Sequence, residues 1–253
     1  MLADSFYTTS QPPLRKGLPT PLLIRRLTLL VYHAVMNDGV VIRLYAPRDR
    51  ASVRRICQDT ADRGSPVPGF YPDGELVADL VTRYYTDIES RYSWVAEVDG
   101  RVVGYITATV DTRAFRRMEH WRIGPLAILK AILRGALFTR AAWAMLTAAV
   151  KPRGKAVIPH PPLPPAYPAH LHINIVDGFR GQHVGERLIE ASLSQMEKAG
   201  VPGVHAGVRA DNPRACAFFE HMDFKAVGHY DLVLPSQHGV QIVRNTLYGR
   251  RFG

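Results

Sequence analysis

His170-Leu171-His172-Ile173-Asn174-Ile175-Val176-Asp177-Gly178-Phe179-Arg180-Gly181-Gln182-His183-Val184-Gly185-Glu186-Arg187-Leu188-Ile189-Glu190 decides how this chain folds. It opens as an apolar, β-branched run, the pattern of a buried strand. Asp177-Gly178 breaks the strand. Val184, Leu188, Ile189 and Ala191 then fall at helical spacing. A strand therefore ends, a short basic turn follows, and a helix begins. Free backbone N–H groups collect at such a helix N-terminus, and the helix dipole adds partial positive charge there. That combination favours a phosphate or pyrophosphate. The plainer reading is an ordinary strand-to-helix loop, because short glycine-containing turns are common.

A second stretch adds to the first. Asp211-Asn212-Pro213-Arg214-Ala215-Cys216-Ala217-Phe218-Phe219-Glu220-His221-Met222-Asp223-Phe224 begins with a capping Asp or Asn and a proline in the first turn. Together the two stretches resemble the GNAT superfamily of N-acetyltransferases. That superfamily carries Arg/Gln-x-x-Gly-x-Gly/Ala in a pyrophosphate loop, and later Asn-x-x-Ala-x-x-Phe-Tyr-x-x-x-Gly-Phe. Here the loop reads Arg180-Gly181-Gln182-His183-Val184-Gly185, and the second motif runs from Asn212 to Phe224. Ala169-His170-Leu171-His172-Ile173 with Gly203-Val204-His205 is similar to the branch related to the C-terminal domain of eukaryotic O-GlcNAc hydrolases. The resemblance covers about residues 40–234.

The resemblance implies an α/β fold. Its central sheet is mixed, mostly antiparallel and twisted, splayed between two strands and flanked by helices. It implies acetyl-CoA as co-substrate, held by Ile175, Val176, Arg180, Gly181, Gln182, His183, Val184, Gly185, Asn212 and Phe218. Pantetheine would lie in the gap between the strand at 170–176 and the strand at 204–208. Three positions depart from the pattern: His183 replaces the middle loop glycine, Phe219 the tyrosine that protonates the leaving thiolate in many members, and Asp223 a turn glycine.

The implied reaction is direct attack of an amine on the thioester. The protein must position both reactants, accept a proton and stabilise an oxyanion. His170 and His172 are candidate bases, since alternation places both on one face of the strand. Their spacing resembles the histidine pair of the arylalkylamine N-acetyltransferases. A histidine near its ordinary pKa of about 6.5 suits proton removal through water. The plain reading is that one or both are structural, hydrogen-bonded histidines. Asp111, at the end of the preceding strand, is a further candidate. With Phe219 in the tyrosine position the proton donor is open, and Tyr230 on the closing hairpin is one replacement.

The chain of 253 residues is 47% hydrophobic and 21% charged, values of a globular protein with a sizeable core. Its two cysteines, Cys57 and Cys216, lie far apart, which argues against a disulfide framework or a zinc site and suits a reducing, cytoplasmic setting. No metal ligand set is expected. Residues 111–168 hold ten bases against two acids, +8 of the total +10.

Residues 1–38 read as an N-terminal extension, with an amphipathic helix at 21–36. That segment is Arg-containing and acid-poor, so a mitochondrial presequence at 1–36 is the alternative. Residues 39–253 read as the acetyltransferase domain. Strands are expected at 40–45, 93–98 and 101–110, the last two joined by Asp99-Gly100. Helices are expected at 47–61 and 75–85, and a closing hairpin at 226–234 and 240–248. Residues 111–168 read as a basic insertion outside the sheet, with a helix at 125–150 and a polyproline connector at 159–168. That helix packs on the core or a partner, or else, through 121–151, on an anionic membrane.

Two functions stay open on this evidence. One is transfer of an acetyl group to a primary amine. The other is a catalytically weak or inactive module that binds acetyl-CoA and uses its basic insertion on an acidic partner or membrane. Nucleic acid is not expected, since no aromatic platform accompanies the charge.

Overall fold

Asp99 and Gly100 both adopt positive φ, 48° and 76°. That is the backbone of the two-residue turn whose twist matches a hairpin. It joins β2 (Trp94–Val98) to β3 (Arg101–Thr109), and β1 (Val40–Leu44) pairs antiparallel with β2. In this computed structural model the described residues are 39–69, 73–138, 165–236 and 239–253. The remaining strands are β4 (Ala169–Ile175), β5 (Gly203–Arg209), β6 (Lys225–Ser236) and β7 (Gly239–Arg251). They form one seven-stranded sheet in the order β1-β2-β3-β4-β5-β7-β6. Every neighbouring pair is antiparallel except β4 and β5.

That exception makes the site. β4 and β5 run parallel and pair only at Ala169↔Val204 and His170↔His205. Beyond His170 they separate, so the β4 edge facing β5 is left without a strand partner. The expected splay is thus present, with its apex at the two paired histidines.

Helices cover both faces. On one face lie α5 (Val184–Lys198) and α6 (Pro213–His221). Leu188, Ile189 and Met196 of α5 pack on Ile106, Leu171 and Ala206. On the other lie α1 (Arg50–Thr60) and α2 (Gly74–Asp87), with Val53, Ile56 and Cys57 against Val95 and Tyr105. These are the apolar positions at helical spacing that a one-sided helix buries.

The segment after β3 departs from expectation. A helix was expected at 125–150. Instead the helical path starts at α3 (Thr112–Met118), passes a π-turn (Glu119–Ile123), and continues as α4 (Gly124–Leu133). The Asp111 carboxylate starts it early, accepting from the Arg113 and Ala114 N–H groups at 2.9 and 3.0 Å. Gly135, at φ 74°, stops it. The expected positions 139–150, the N-terminal extension and most of the polyproline connector lie outside the described residues. Phe115 and Ile123 from this segment pack with Tyr84 and Tyr85 of α2.

Candidate active site

The cleft begins where β4 ends. Its floor is Ile173, Asn174 and Ile175, and its far wall is Phe218 and Phe219 of α6. Gly181, His183 and Gly185 line the end nearest the α5 N-terminus, and Asn212 and Ala215 the start of α6. Of the residues expected to hold the cofactor, Ile175, Arg180, Gly181, His183, Gly185, Asn212 and Phe218 meet here. Val176, Gln182 and Val184 do not line it: Val184 turns into the core, and Gln182 donates to the Gly178 carbonyl at 2.6 Å.

Local backbone chemistry explains the shape. Asn212 caps α6, its side-chain oxygen accepting from the Ala215 N–H at 3.2 Å, and Pro213 follows at the first helical position. Gly185 lets α5 press against both β4 and α6. A Cβ there would meet Phe218 Cζ at 3.0 Å and Ile175 Cδ1 at 3.1 Å.

Two of the three departures from the family pattern keep the glycine backbone. His183 takes φ 58° and Asp223 takes φ 61°. Both residue types enter the left-handed region more readily than most. His183 still carries strain, partly offset by its Nδ1–H donating to the Glu186 carboxylate at 2.9 Å. A non-glycine residue in that region costs about 1–2 kcal/mol. His183→Gly should therefore raise the melting temperature by about 2–4 °C, the shift expected for about 1 kcal/mol in a chain of this size. A calorimetric scan checks it.

The cleft is cationic. Arg63, Arg180 and Arg214 line it, and among the described lining residues Glu186 is the acid. Glu186 is turned to His183 and to His221, 3.7 Å away. Arg180 is also a strut: its Nε donates to the Ile175 carbonyl at 2.9 Å and its Nη2 to the Gly64 carbonyl at 2.7 Å. It holds the loop after α1 over the cleft. Arg209 does the same from β5, pairing with Asp62 at 3.0 Å and Asp211 at 2.7 Å.

The histidines sit at the splay apex and differ from one another. His170 is buried. Thr112 donates its hydroxyl proton to the Pro168 carbonyl at 2.6 Å and lies 3.0 Å from His170 Nδ1. So His170 Nδ1–H donates to Thr112, and Nε2 accepts from the Tyr85 hydroxyl. Burial holds Tyr85 protonated, its pKa raised well above the ordinary value. Both ring nitrogens of His170 thus have partners within the protein. His205 is also buried, its Nδ1–H donating to the Tyr167 carbonyl at 2.8 Å. His172 is different, since its side chain reaches solvent. Dense protein around the ring nonetheless strips much of its hydration. That, with the nearby His205, lowers its pKa to about 4. Asp111 does not join this group: it is exposed, and its carboxylate serves the α3 N-terminus.

Four groups that sequence reading missed or left unplaced lie around these histidines: Tyr230, Arg116, Glu119 and Tyr85. The hydroxyl of Tyr230 overlies Gly207 of β5, filling the space a Cβ there would need. Burial raises its pKa to about 12, against the opposing pull of Arg116. Arg116 of α3 also acts on His205 and on Glu119. Glu119 opens the π-turn, and desolvation raises its pKa to about 7. Tyr85 ties α2 to this floor. Glu119 and its Arg116 partner had one signal in sequence, an acid three residues from a base inside an otherwise basic stretch. Phe219 lies in an apolar stack, 6.0 Å from the Tyr248 ring and 5.2 Å from Phe224.

These titrations pull stability in opposite directions. His172 and His205 have folded pKa values below the unfolded value of about 6.5, so their contribution is full above that pH and falls as pH drops. Glu119 has a raised folded value, so its contribution grows as pH drops through about 7. Removing it by Glu119→Gln should steepen the fall in melting temperature between about pH 7 and 5. A thermal scan across that range checks it.

Comparison with known proteins agrees with the geometry. Residues 160–224 match the acetyltransferase (GNAT) family model. The structure called SsHAT is 25% identical with a TM-score of 0.60, covering 85% of this chain and 98% of that one.

The chain has the GNAT acetyltransferase fold.

An N-acetyltransferase from Staphylococcus aureus Mu50 shares the fold at 13% identity and TM-score 0.52, covering 85% of this chain and 99% of that one. So does yncA from Salmonella typhimurium, solved with its cofactor acetyl-CoA, at 11% identity and TM-score 0.50, covering 85% and 95%. Protein O-GlcNAcase of Rattus norvegicus is 34% identical over 74 residues, which is 29% of this chain. The matched stretch is 8% of that protein's length, and the Mus musculus protein matches to the same extent. Among the described residues, no cluster of three or more His, Cys, Asp or Glu is placed to hold a metal ion.

Proposed function

We propose that this protein transfers the acetyl group of acetyl-CoA to a primary amine. The observation that carries the reading is the cationic cleft at the α5 N-terminus, continuous with the unpaired edge of β4. Arg63, Arg214 and the free N–H groups of the first turn of α5 take the phosphates. The pantetheine amides add to the open β4 edge in the manner of an extra strand. The thioester then lies at the apex, near His172 and Gly207.

The amine attacks the thioester carbonyl there. Backbone N–H groups on β4 stabilise the oxyanion. His172 is neutral above about pH 5 and takes the ammonium proton, directly or through water. Tyr230 keeps its proton at neutral pH and gives it to the departing thiolate. Phe219 has no proton to give. The helical segment that follows β3 supplies the roof of the acceptor side through Phe115, Arg116 and Glu119.

A second reading rests on Phe219. Its place in an apolar stack suits a module that binds acetyl-CoA without turning it over. Calorimetric titration with CoA tests the shared part of both readings. Binding that weakens with added salt supports it, because the contacts are with phosphates. Absence of binding removes both.

A further inference from the structure

Helix α4 has its large residues on the outside. Its buried stripe is Ala127 and Ala131, set against α2. Ile128, Leu129, Ile132 and Leu133 are 44–77% exposed. Trp121 just before it is 75% exposed, and Phe138 just after it 80%. A surface helix ordinarily turns its large apolar residues to the core. A contiguous exposed apolar face of this kind marks an interaction surface.

We propose that this face docks in the plane of an anionic lipid bilayer. Charge selects the occupant. Exposed Arg113, Arg117 and Arg122 and the half-exposed Lys130 accompany the apolar residues. Across 111–138 the acids are Asp111 and Glu119 alone, the first capping α3 and the second half-buried. Cover from the chain itself would bring like charge. Residues 139–168 hold Arg140, Lys151, Arg153 and Lys155 with no acid, and residues 21–36 hold Arg25 and Arg26 with no acid. A second copy would bring the same basic face. Anionic lipid satisfies both parts of the surface: each base near it contributes about 1 kcal/mol, and the apolar side chains enter the acyl boundary. Tryptophan is at home at that depth. Among the described residues no helix is long and apolar enough to cross a membrane, so α4 would lie flat. The inference stands apart from the catalytic reading, since it uses none of the cleft residues.

Flotation of the full chain with vesicles tests it. One set is an equal mixture of phosphatidylglycerol and phosphatidylcholine, the other phosphatidylcholine alone. The protein should float with the first set, remain below with the second, and be released by salt. Leu129→Glu with Leu133→Glu should lower the bound fraction at least about tenfold, as loss of two buried leucines from lipid implies. Arg122→Glu with Lys130→Glu should do the same, by loss of the charge contribution. Circular dichroism and CoA calorimetry report whether each variant is folded, and the charge pair is the safer variant because it touches no packing. Equal flotation with both vesicle sets, flotation with neither, or unchanged flotation of the folded charge pair overturns the proposal.

Discussion

Gly185→Val should weaken CoA binding on the order of 10²-fold, about 2.7 kcal/mol. The position has no room to spare. A single added Cβ would come within 3.0 Å of Phe218 and 3.1 Å of Ile175, and both residues line the cleft. Valine adds two methyl groups beyond that atom. Either Phe218 and Ile175 move into the cleft, or α5 backs away from β4 and carries its N–H groups out of reach of a pyrophosphate. Overpacking of this kind costs about 1–3 kcal/mol in stability as well. Gly185→Ala should sit between the two, because a few tenths of an ångström of movement accommodate it. Calorimetry of the folded variants with CoA reads the effect. Wild-type affinity in a folded Gly185→Val protein would mean that the phosphates bind elsewhere.

His172→Ala should lower kcat on the order of 10²-fold while CoA affinity stays unchanged. The pH dependence is the sharper readout. A histidine in water would give a limb near 6.5. Desolvation at the splay moves that limb to about 4, so wild-type activity should hold through the mildly acidic range and fall only near there. In His172→Ala the limb should vanish. A limb near 7 that disappears in Glu119→Gln would move the proton acceptor to the π-turn, where burial raises that carboxyl to about 7. Phe219→Tyr should leave the rate unchanged or raise it, because a hydroxyl there adds an acid to the one Tyr230 supplies.

Local chemistry made most of the fold legible. Asp99-Gly100 announced its hairpin, and both residues take the positive φ that the turn requires. The strand, basic turn and helix of 170–190 appear as β4, the cleft and α5, since their apolar periods switch from two to 3.6 at a glycine. The failures are tertiary. The start of α3 was misplaced because Asp111 reads equally well as an active-site acid and as a cap. Only the backbone shows its oxygen taking two N–H groups. Alternation placed His170 and His172 on one face correctly. It could not separate them, because His170 is held by Tyr85 and Thr112, each 58 or more residues away in sequence. Tyr230 was similarly out of reach: its hydroxyl meets β5 across β7 only because Gly207 has no side chain.

A thiol-release assay decides whether acetyl transfer takes place at the splay. The full chain is mixed with acetyl-CoA and a panel of primary amines, and free CoA is followed with a thiol reagent. Release should exceed the amine-free background with at least one amine and fall on the order of 10²-fold in His172→Ala. Background-level release with every amine, from a protein that binds CoA in calorimetry, would contradict it.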